Sequence, residues 1–173
     1  MPTNPNMVAI QTVTVGAGGA SSISFTSIPQ TYTDLVLKLS TRSSYTGVVY
    51  DEIQFQFNGS SSTYSARTLQ GNGASAASYT STTNGHLFYG PSNSATANTF
   101  GNGEFYIPNY TGSTNKSVSS DGVGENNGTT SITDLSAVLW STTSAITSIT
   151  LLLGSASNFM QYSTATLYGI KNS

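Results

Sequence analysis

The side chain with the widest chemical repertoire in this sequence is its single histidine, His86, within the segment GHLFYG. An imidazole can act as a general base or bind a metal, but either role needs partner groups in defined positions. The sequence has no second histidine, no cysteine and no Gly-x-Ser-x-Gly motif of the kind that builds a nucleophile elbow. We therefore expect His86 to be a structural or surface residue and not part of a catalytic centre.

Paired carboxylates are another common route to catalysis, and glycoside hydrolysis needs only two at a set spacing. The seven carboxylates of the chain are Asp34, Asp51, Glu52, Glu104, Asp121, Glu125 and Asp134. Asp51 and Glu52 are adjacent, so on a strand they would point to opposite faces and could not act together. Without a pair at a credible spacing, we expect the protein not to be an enzyme.

The segment SSDGVGENNGTT contains several oxygen donors that could bind Ca²⁺, and Asp121, Glu125 and Asn126 are the weak candidates there. It lacks the spaced acidic residues of an EF-hand loop. Asn, Asp and Gly also favour turns. The simpler interpretation is a polar turn between strands, so we expect no metal and no cofactor.

Tyrosine is common in the chain, with ten copies, and its flat ring and hydroxyl suit a sugar-binding platform. Tyr45, Tyr79 and Tyr110 are the candidates for contact with a glycan. Strands and protein interfaces also favour tyrosine, which explains the same residues without a sugar. The sequence favours the interface interpretation and leaves a glycan open.

The composition excludes several classes of protein. Only 7% of the 173 residues are charged and the net charge is −2, whereas binding to nucleic acid depends on clustered Lys and Arg. No segment approaches the ~18 consecutive apolar residues of a membrane-spanning helix, and the first residues lack the features of a signal peptide. We expect neither nucleic acid nor membrane as a partner, and a chain made in a reducing cytoplasm.

Alternation of apolar and polar residues predicts strands along most of the chain. In DLVLKLS, Leu35, Leu37 and Leu39 share one face, and IQFQF repeats the pattern from Ile53 to Phe57. The predicted strands are 8–15, 22–27, 35–39, 53–57, 67–70, 86–89, 100–108, 116–123, 135–140, 149–153 and 164–170.

The segments between these strands are typical of turns and loops. Asn and Gly tolerate the positive φ of tight turns, which predicts turns at 16–19, 58–59, 71–73, 84–85, 101–103 and 127–128. The stretch 71–84 has few large apolar residues and is predicted to be an extended surface loop.

The pattern as a whole predicts an all-β fold without substantial helix. We expect an antiparallel β-sandwich of jelly-roll type with about eight to ten short strands. The expected organisation is an N-terminal arm with the first strand at residues 1–15, followed by one β-sandwich domain at residues 16–173.

Three segments carry a resemblance: residues 21–44, residues 53–73 and the closing STATLYGIKNS. Their pattern is F-x-x-I-P-Q-T-Y-x-x-L-x-L from Phe25 to Leu37, F-N-G from Phe57 to Gly59, and L-Y-G-I from Leu167 to Ile170. In this pattern the sequence resembles a recurrent type of small virion protein encoded by tailed bacteriophages, including marine and cyanobacterial ones. The resemblance implies a structural role in the virion, such as capsid decoration, cement, or a fibre or tail component, and no catalytic residues.

We therefore expect a capsid decoration or cement protein, made in the host bacterial cytoplasm and located on the capsid surface of the virion. Its expected partners are the major capsid protein and copies of itself, as a dimer or trimer. Because proline favours extended backbone, the candidate contacts with the capsid are in the N-terminal arm: Pro2, Asn4, Pro5 and Val8.

Two alternatives stay open. One is a tail or head fibre module that binds a host-surface glycan through loop tyrosines. The other is a phage depolymerase, for which the chain lacks credible paired acids; Asp121 and Glu125 would be the residues to test.

Overall fold

A computed structural model describes residues 6–128 and 130–171, which form twelve strands. The strands are β1 (Met7–Thr14), β2 (Ile23–Phe25), β3 (Asp34–Thr41), β4 (Tyr50–Phe57), β5 (Tyr64–Gly71), β6 (Ala76–Ser81), β7 (Gly85–Pro91), β8 (Gly101–Ile107), β9 (Lys116–Val123), β10 (Thr133–Trp140), β11 (Ile149–Leu153) and β12 (Thr164–Ile170). The described part of the chain contains no helix, and so none that could cross a membrane.

The strands form two antiparallel sheets. One sheet has eight strands in the order β1-β12-β3-β8-β9-β10-β5-β6, and the other has four in the order β2-β11-β4-β7. The predicted all-β fold with two packed antiparallel sheets is confirmed, although with twelve strands among the described residues instead of about eight to ten. The jelly-roll type stays a prediction.

The core lies between the two sheets and is built by the predicted alternation. Leu35, Leu37 and Leu39 are buried in it, whereas Lys38 is exposed on the outer face. Rings fill the centre of the core, where Phe55 stacks on Phe105 with centroids 5.4 Å apart. Each such side chain contributes about 1.5–3 kcal/mol when fully buried, which explains how short apolar runs stabilise a polar sequence.

Two local predictions are wrong. Residues 76–81 of the predicted loop form β6, which pairs with β5 along its length and contributes no side chain to the core. Its backbone hydrogen bonds, not buried side chains, make it a strand, so hydrophobic pattern does not reveal it. Residues 101–103 are not a turn but the start of β8.

Two paired glycines, one on β8 and one on β9, provide space for an aromatic ring. Gly103 pairs with Gly122 of β9. A Cβ at either position would lie 2.2 Å from an atom of the Phe88 ring. The two glycines therefore form a seat in which this ring lies directly against the backbone of the sheet.

Candidate functional site

The edge of β7 is covered by side chains instead of by another strand. The register between β4 and β7 shifts at Ile53/Gln54, where Leu87 is the extra residue of a bulge. The carbonyl oxygen of Leu87 accepts hydrogen bonds from Ser120 Oγ at 3.0 Å and from Ser136 Oγ at 3.1 Å. These serines, on β9 and β10, satisfy an edge group that would otherwise be buried without a partner.

Asp134 of β10 covers the next part of this edge. Its Oδ2 accepts a hydrogen bond from the backbone N–H of Tyr89 at 2.7 Å, and its Oδ1 accepts one from Gln70 Nε2 at 2.9 Å. The carboxyl is buried. Burial raises its pKa, although both hydrogen bonds and the nearby His86 act in the opposite direction.

Beside this covered edge, the hairpin of β5 and β6 meets side chains of β4 and β7 around a cavity. The cavity has a volume of about 250 Å³ and is lined by Thr68 of β5, by Tyr79, Thr80 and Ser81 of β6, and by Glu52, His86 and Tyr89. We call it the β6–β7 cavity. It combines two tyrosine rings with hydroxyls and one acid–imidazole pair, which is the usual composition of a small ligand site.

The imidazole of His86 has one partnered and one unpartnered nitrogen. Nδ1 lies 2.7 Å from Glu52 Oε1, while the other oxygen of Glu52 accepts a hydrogen bond from Gln54 Nε2 at 2.8 Å. Nε2 is buried and has no hydrogen-bond partner. Most buried polar atoms do have a partner, and this nitrogen is one of three buried side-chain atoms among the described residues that lack one, with Thr41 Oγ1 and Trp140 Nε1.

Tyr89 connects the cavity to the covered edge. Its ring lies 5.3 Å from the His86 ring, centroid to centroid. Burial raises the pKa of its hydroxyl to about 12, with the charges of Glu52 and Asp134 adding to the effect. This phenol is therefore neutral at physiological pH and can serve as a hydrogen-bond donor.

A nucleophile is activated by a hydrogen bond to its base, and no hydroxyl of the described residues makes that bond with His86 Nε2. Asp51 and Glu52 also take opposite directions, as expected: Asp51 accepts hydrogen bonds from Ser155 and Ser157, away from the cavity.

A second candidate surface lies on the outer face of the large sheet. Leu69 and Leu135 are direct partners on β5 and β10, and they are 56% and 57% exposed. Ala137, also exposed, lies on the same face of β10. We call these three residues the leucine patch.

The leucine patch lies at the apolar end of a row that crosses the sheet. Cross-strand partners in this row run from Lys38 through Glu104 and Asp121 to the two leucines. Lys38 and Glu104 form an exposed ion pair of 2.8 Å. One end of this row is thus charged and the other end is apolar.

The three tyrosines proposed for glycan contact have different environments. Tyr79 is 52% exposed and lines the β6–β7 cavity. Tyr45 is half-buried. Tyr110 is fully buried in the core and its hydroxyl donates a hydrogen bond to the Pro29 carbonyl; its selection as a glycan contact was wrong because its ring fills the core.

The proposed calcium ligands do not make a cluster. Asn126 is buried, and its Nδ2 donates a hydrogen bond to the Thr130 carbonyl. Glu125 accepts a hydrogen bond from the backbone N–H of Asn127. Asp121 is exposed on β9. Among the described residues, no group of three or more His, Cys, Asp or Glu side chains could hold a metal ion.

The N-terminal contact candidates fall mostly beyond what the structure describes. Pro2, Asn4 and Pro5 lie outside the described residues. Val8 belongs to β1, an edge strand that pairs with β12, and is half-buried.

Sequence reasoning missed the pairing of His86 with Glu52. The two residues are 34 positions apart and meet because β4 and β7 pair. A signal was present in YDEIQFQF, where Glu52, Gln54 and Gln56 alternate with buried residues and so share the outer face. Their partner strand could not be identified from periodicity.

Comparison of the chain with protein-family models, with curated proteins and with solved structures finds no match.

Proposed function

We propose that this protein is a capsid decoration protein, a non-enzymatic virion protein that binds the outer surface of a phage capsid and stabilises it. The observation that carries the proposal is the leucine patch, because exposed apolar surface on an ordered sheet is typical of a protein interaction site. The resemblance to small phage virion proteins supplies the proposed occupant, the major capsid protein, with further copies of this chain as neighbours.

The strand order supports a role in a shell. Setting aside the hairpins β5–β6 and β9–β10 leaves the two four-stranded orders β1-β12-β3-β8 and β2-β11-β4-β7. We interpret this arrangement as a jelly roll whose first sheet is extended by two hairpins, and jelly rolls are common in capsid and lectin domains. The fold does not by itself assign the function.

The low charge of the chain indicates how such a contact would form. With 7% charged residues, binding through the leucine patch would depend on apolar burial more than on ion pairs. We therefore expect its affinity to change little between low and physiological salt, since screening acts on charges.

The first test is the copy number and position of the chain in purified particles, by quantitative mass spectrometry and image reconstruction. Copies in the hundreds on the shell lattice are the expected result. A few copies at a tail or fibre tip would overturn the decoration role and favour the glycan-binding fibre module, which the β6–β7 cavity with Tyr79 also supports.

The second test is binding of purified protein to capsids that lack it. The double variant Leu69→Ser and Leu135→Ser should bind at least about tenfold more weakly, since each leucine contributes about 1.5–3 kcal/mol when buried. The matched control is Val48→Ser, which removes an apolar side chain that is 45% exposed outside the patch. Equal binding by the double variant and the control would show that the patch is not the contact.

A further inference from the structure

His86, which lines the β6–β7 cavity, has a buried nitrogen without a hydrogen-bond partner. His86 is only 5% exposed and its Nε2 has no partner, whereas Nδ1 is held by Glu52. A buried polar atom without a hydrogen bond costs about 1–3 kcal/mol. A ligand that brings a suitable polar group to this nitrogen would recover this free energy.

The chemistry of the missing partner follows from the two states of an imidazole. With a proton on Nδ1 alone, Nε2 accepts a hydrogen bond, and with both nitrogens protonated, it donates one. A hydroxyl group can do either. It would therefore satisfy Nε2 in both states of the ring.

The acidic groups near the cavity do not call for a cation. Both oxygens of Glu52 already accept hydrogen bonds, from His86 and from Gln54. Both oxygens of Asp134 also accept them, from Tyr89 and from Gln70. These carboxylates equally disfavour an anion, so the cavity suits a neutral ligand.

The remaining walls suit a ring that carries hydroxyls. Tyr79 presents a ring that is 52% exposed, and aromatic faces pack well against the apolar C–H face of a sugar. Thr80 and Ser81 also line the cavity and carry hydroxyls, whereas the Thr68 hydroxyl is buried against that of Ser136. The volume of about 250 Å³ is below the usual range of drug-sized pockets, which indicates one small unit instead of an extended chain.

We propose that the β6–β7 cavity binds a single neutral saccharide unit, with one sugar hydroxyl paired to His86 Nε2 and the sugar ring packed on Tyr79. The site does not depend on the decoration role, because either a decoration protein or a fibre protein could carry it. The cavity shares Thr68, Tyr79 and Thr80 with the groove that contains the leucine patch.

The test uses the single histidine as a reporter. In an untagged, ¹⁵N-labelled protein, the only imidazole signals come from His86. Titration with D-glucose, D-galactose and N-acetylglucosamine should shift these signals saturably for at least one sugar. An affinity in the millimolar range is expected, about 4 kcal/mol of binding free energy.

Variants locate the site and separate binding from folding. Tyr79→Ala, on an exposed edge strand, should weaken binding at least about tenfold, which corresponds to about 1.4 kcal/mol. His86→Phe should also lose binding while keeping a folded spectrum; because this variant has no imidazole, its binding is read from the backbone amide signals of Thr80 and Tyr89, which line the cavity. Tyr162→Ala is the control, because Tyr162 is 68% exposed and does not line the cavity, and it should bind like the unchanged protein.

Three results would overturn the proposal. They are no shift of the His86 signals by any of the three sugars, equal binding by Tyr79→Ala and the unchanged protein, and saturable binding of methylammonium at His86 in place of the sugars. None of these results bears on the copy number in particles, so the proposed function is tested separately.

Discussion

At the scale of single residues, several buried polar side chains form hydrogen bonds with backbone groups of β7 and of the loops. Arg42 is buried and donates hydrogen bonds to the carbonyls of Ala95, Thr96 and Thr99, while Lys116 donates to those of Gly112 and Thr114. These two cations therefore fix surface loops to the sandwich. His86 differs from them because one of its nitrogens has no partner.

Asp134 provides a prediction about pH. Its raised pKa, caused chiefly by burial, means that the folded protein holds this proton more tightly than the unfolded chain. The resulting stabilisation is present at low pH and is lost as pH rises through the folded pKa. The free energy of unfolding of the unchanged protein, relative to Asp134→Asn, should therefore decrease as pH rises above the ordinary carboxyl pKa of about 4.

Two variants at Asp134 distinguish the effect of its charge from the effect of its hydrogen bonds. Asp134→Asn retains an acceptor for the Tyr89 N–H, and the Gln70 amide can rotate to match it, so it should fold stably at neutral pH. Asp134→Ala leaves both donors unpaired and should lose about 1–3 kcal/mol. Chemical denaturation at several pH values measures the stability of both variants. Asp121→Asn is the control, because Asp121 is exposed. If the difference in free energy of unfolding between the unchanged protein and Asp134→Asn did not vary with pH, this explanation would be contradicted.

At the scale of elements, the hairpins β5–β6 and β9–β10 provide the groups that complete the smaller sheet. Ser120, Ser136 and Asp134 satisfy the edge of β7, and Tyr79 adds a wall of the cavity. Hairpins that extend one sheet thus also protect an edge of the other. Protection of this kind is needed because open edges promote aggregation.

The glycine seat for Phe88 gives a prediction about packing. Gly103→Ala should destabilise the protein by about 1–3 kcal/mol, because the added methyl overpacks the core. Gly16→Ala is the matched control, since a Cβ there meets nothing within 4 Å.

A double-mutant cycle with Phe88→Leu tests the cause. The smaller side chain should reduce the penalty of Gly103→Ala, so the two changes should be non-additive in thermal or chemical unfolding. Additive effects would show that the penalty does not come from this ring.

At the scale of the whole molecule, the two candidate surfaces lie on opposite faces of β5. Leu69 belongs to the patch on the outer face, and Thr68 lines the cavity on the inner face. Tyr79 and Thr80 of β6 line both the cavity and the groove beside the leucine patch, so the two candidate surfaces are neighbours and a contact at one could affect the other. This arrangement is compatible with a virion surface protein that binds its shell on one side.

The N-terminal segment gives a second whole-molecule prediction. If an arm that includes Pro2, Asn4 and Pro5 grips the capsid, deletion of residues 1–6 should weaken capsid binding. The melting temperature should change little, because the deletion leaves β1 intact; of the described residues it removes Asn6 alone, whose carbonyl accepts a hydrogen bond from the Lys171 N–H. Unchanged capsid binding would show that the arm is not the contact.

The sequence alone determined the fold class and most of the strands, because one buried face per strand forces an alternation that can be read locally. Leu35, Leu37 and Leu39 are clear examples, and so is the Asn58-Gly59 turn, where both residues have positive φ. It did not determine β6, whose side chains are not in the core, nor the turn at Gly101 that proved to be a strand.

Only the tertiary structure decided the candidate sites. Glu52 and His86 meet through the pairing of β4 with β7, and Leu69 and Leu135 through the pairing of β5 with β10. These contacts join residues 34 and 66 positions apart. Periodicity shows which face a residue takes but not which strand lies beside it, and the neighbouring strand is what turns single residues into a site.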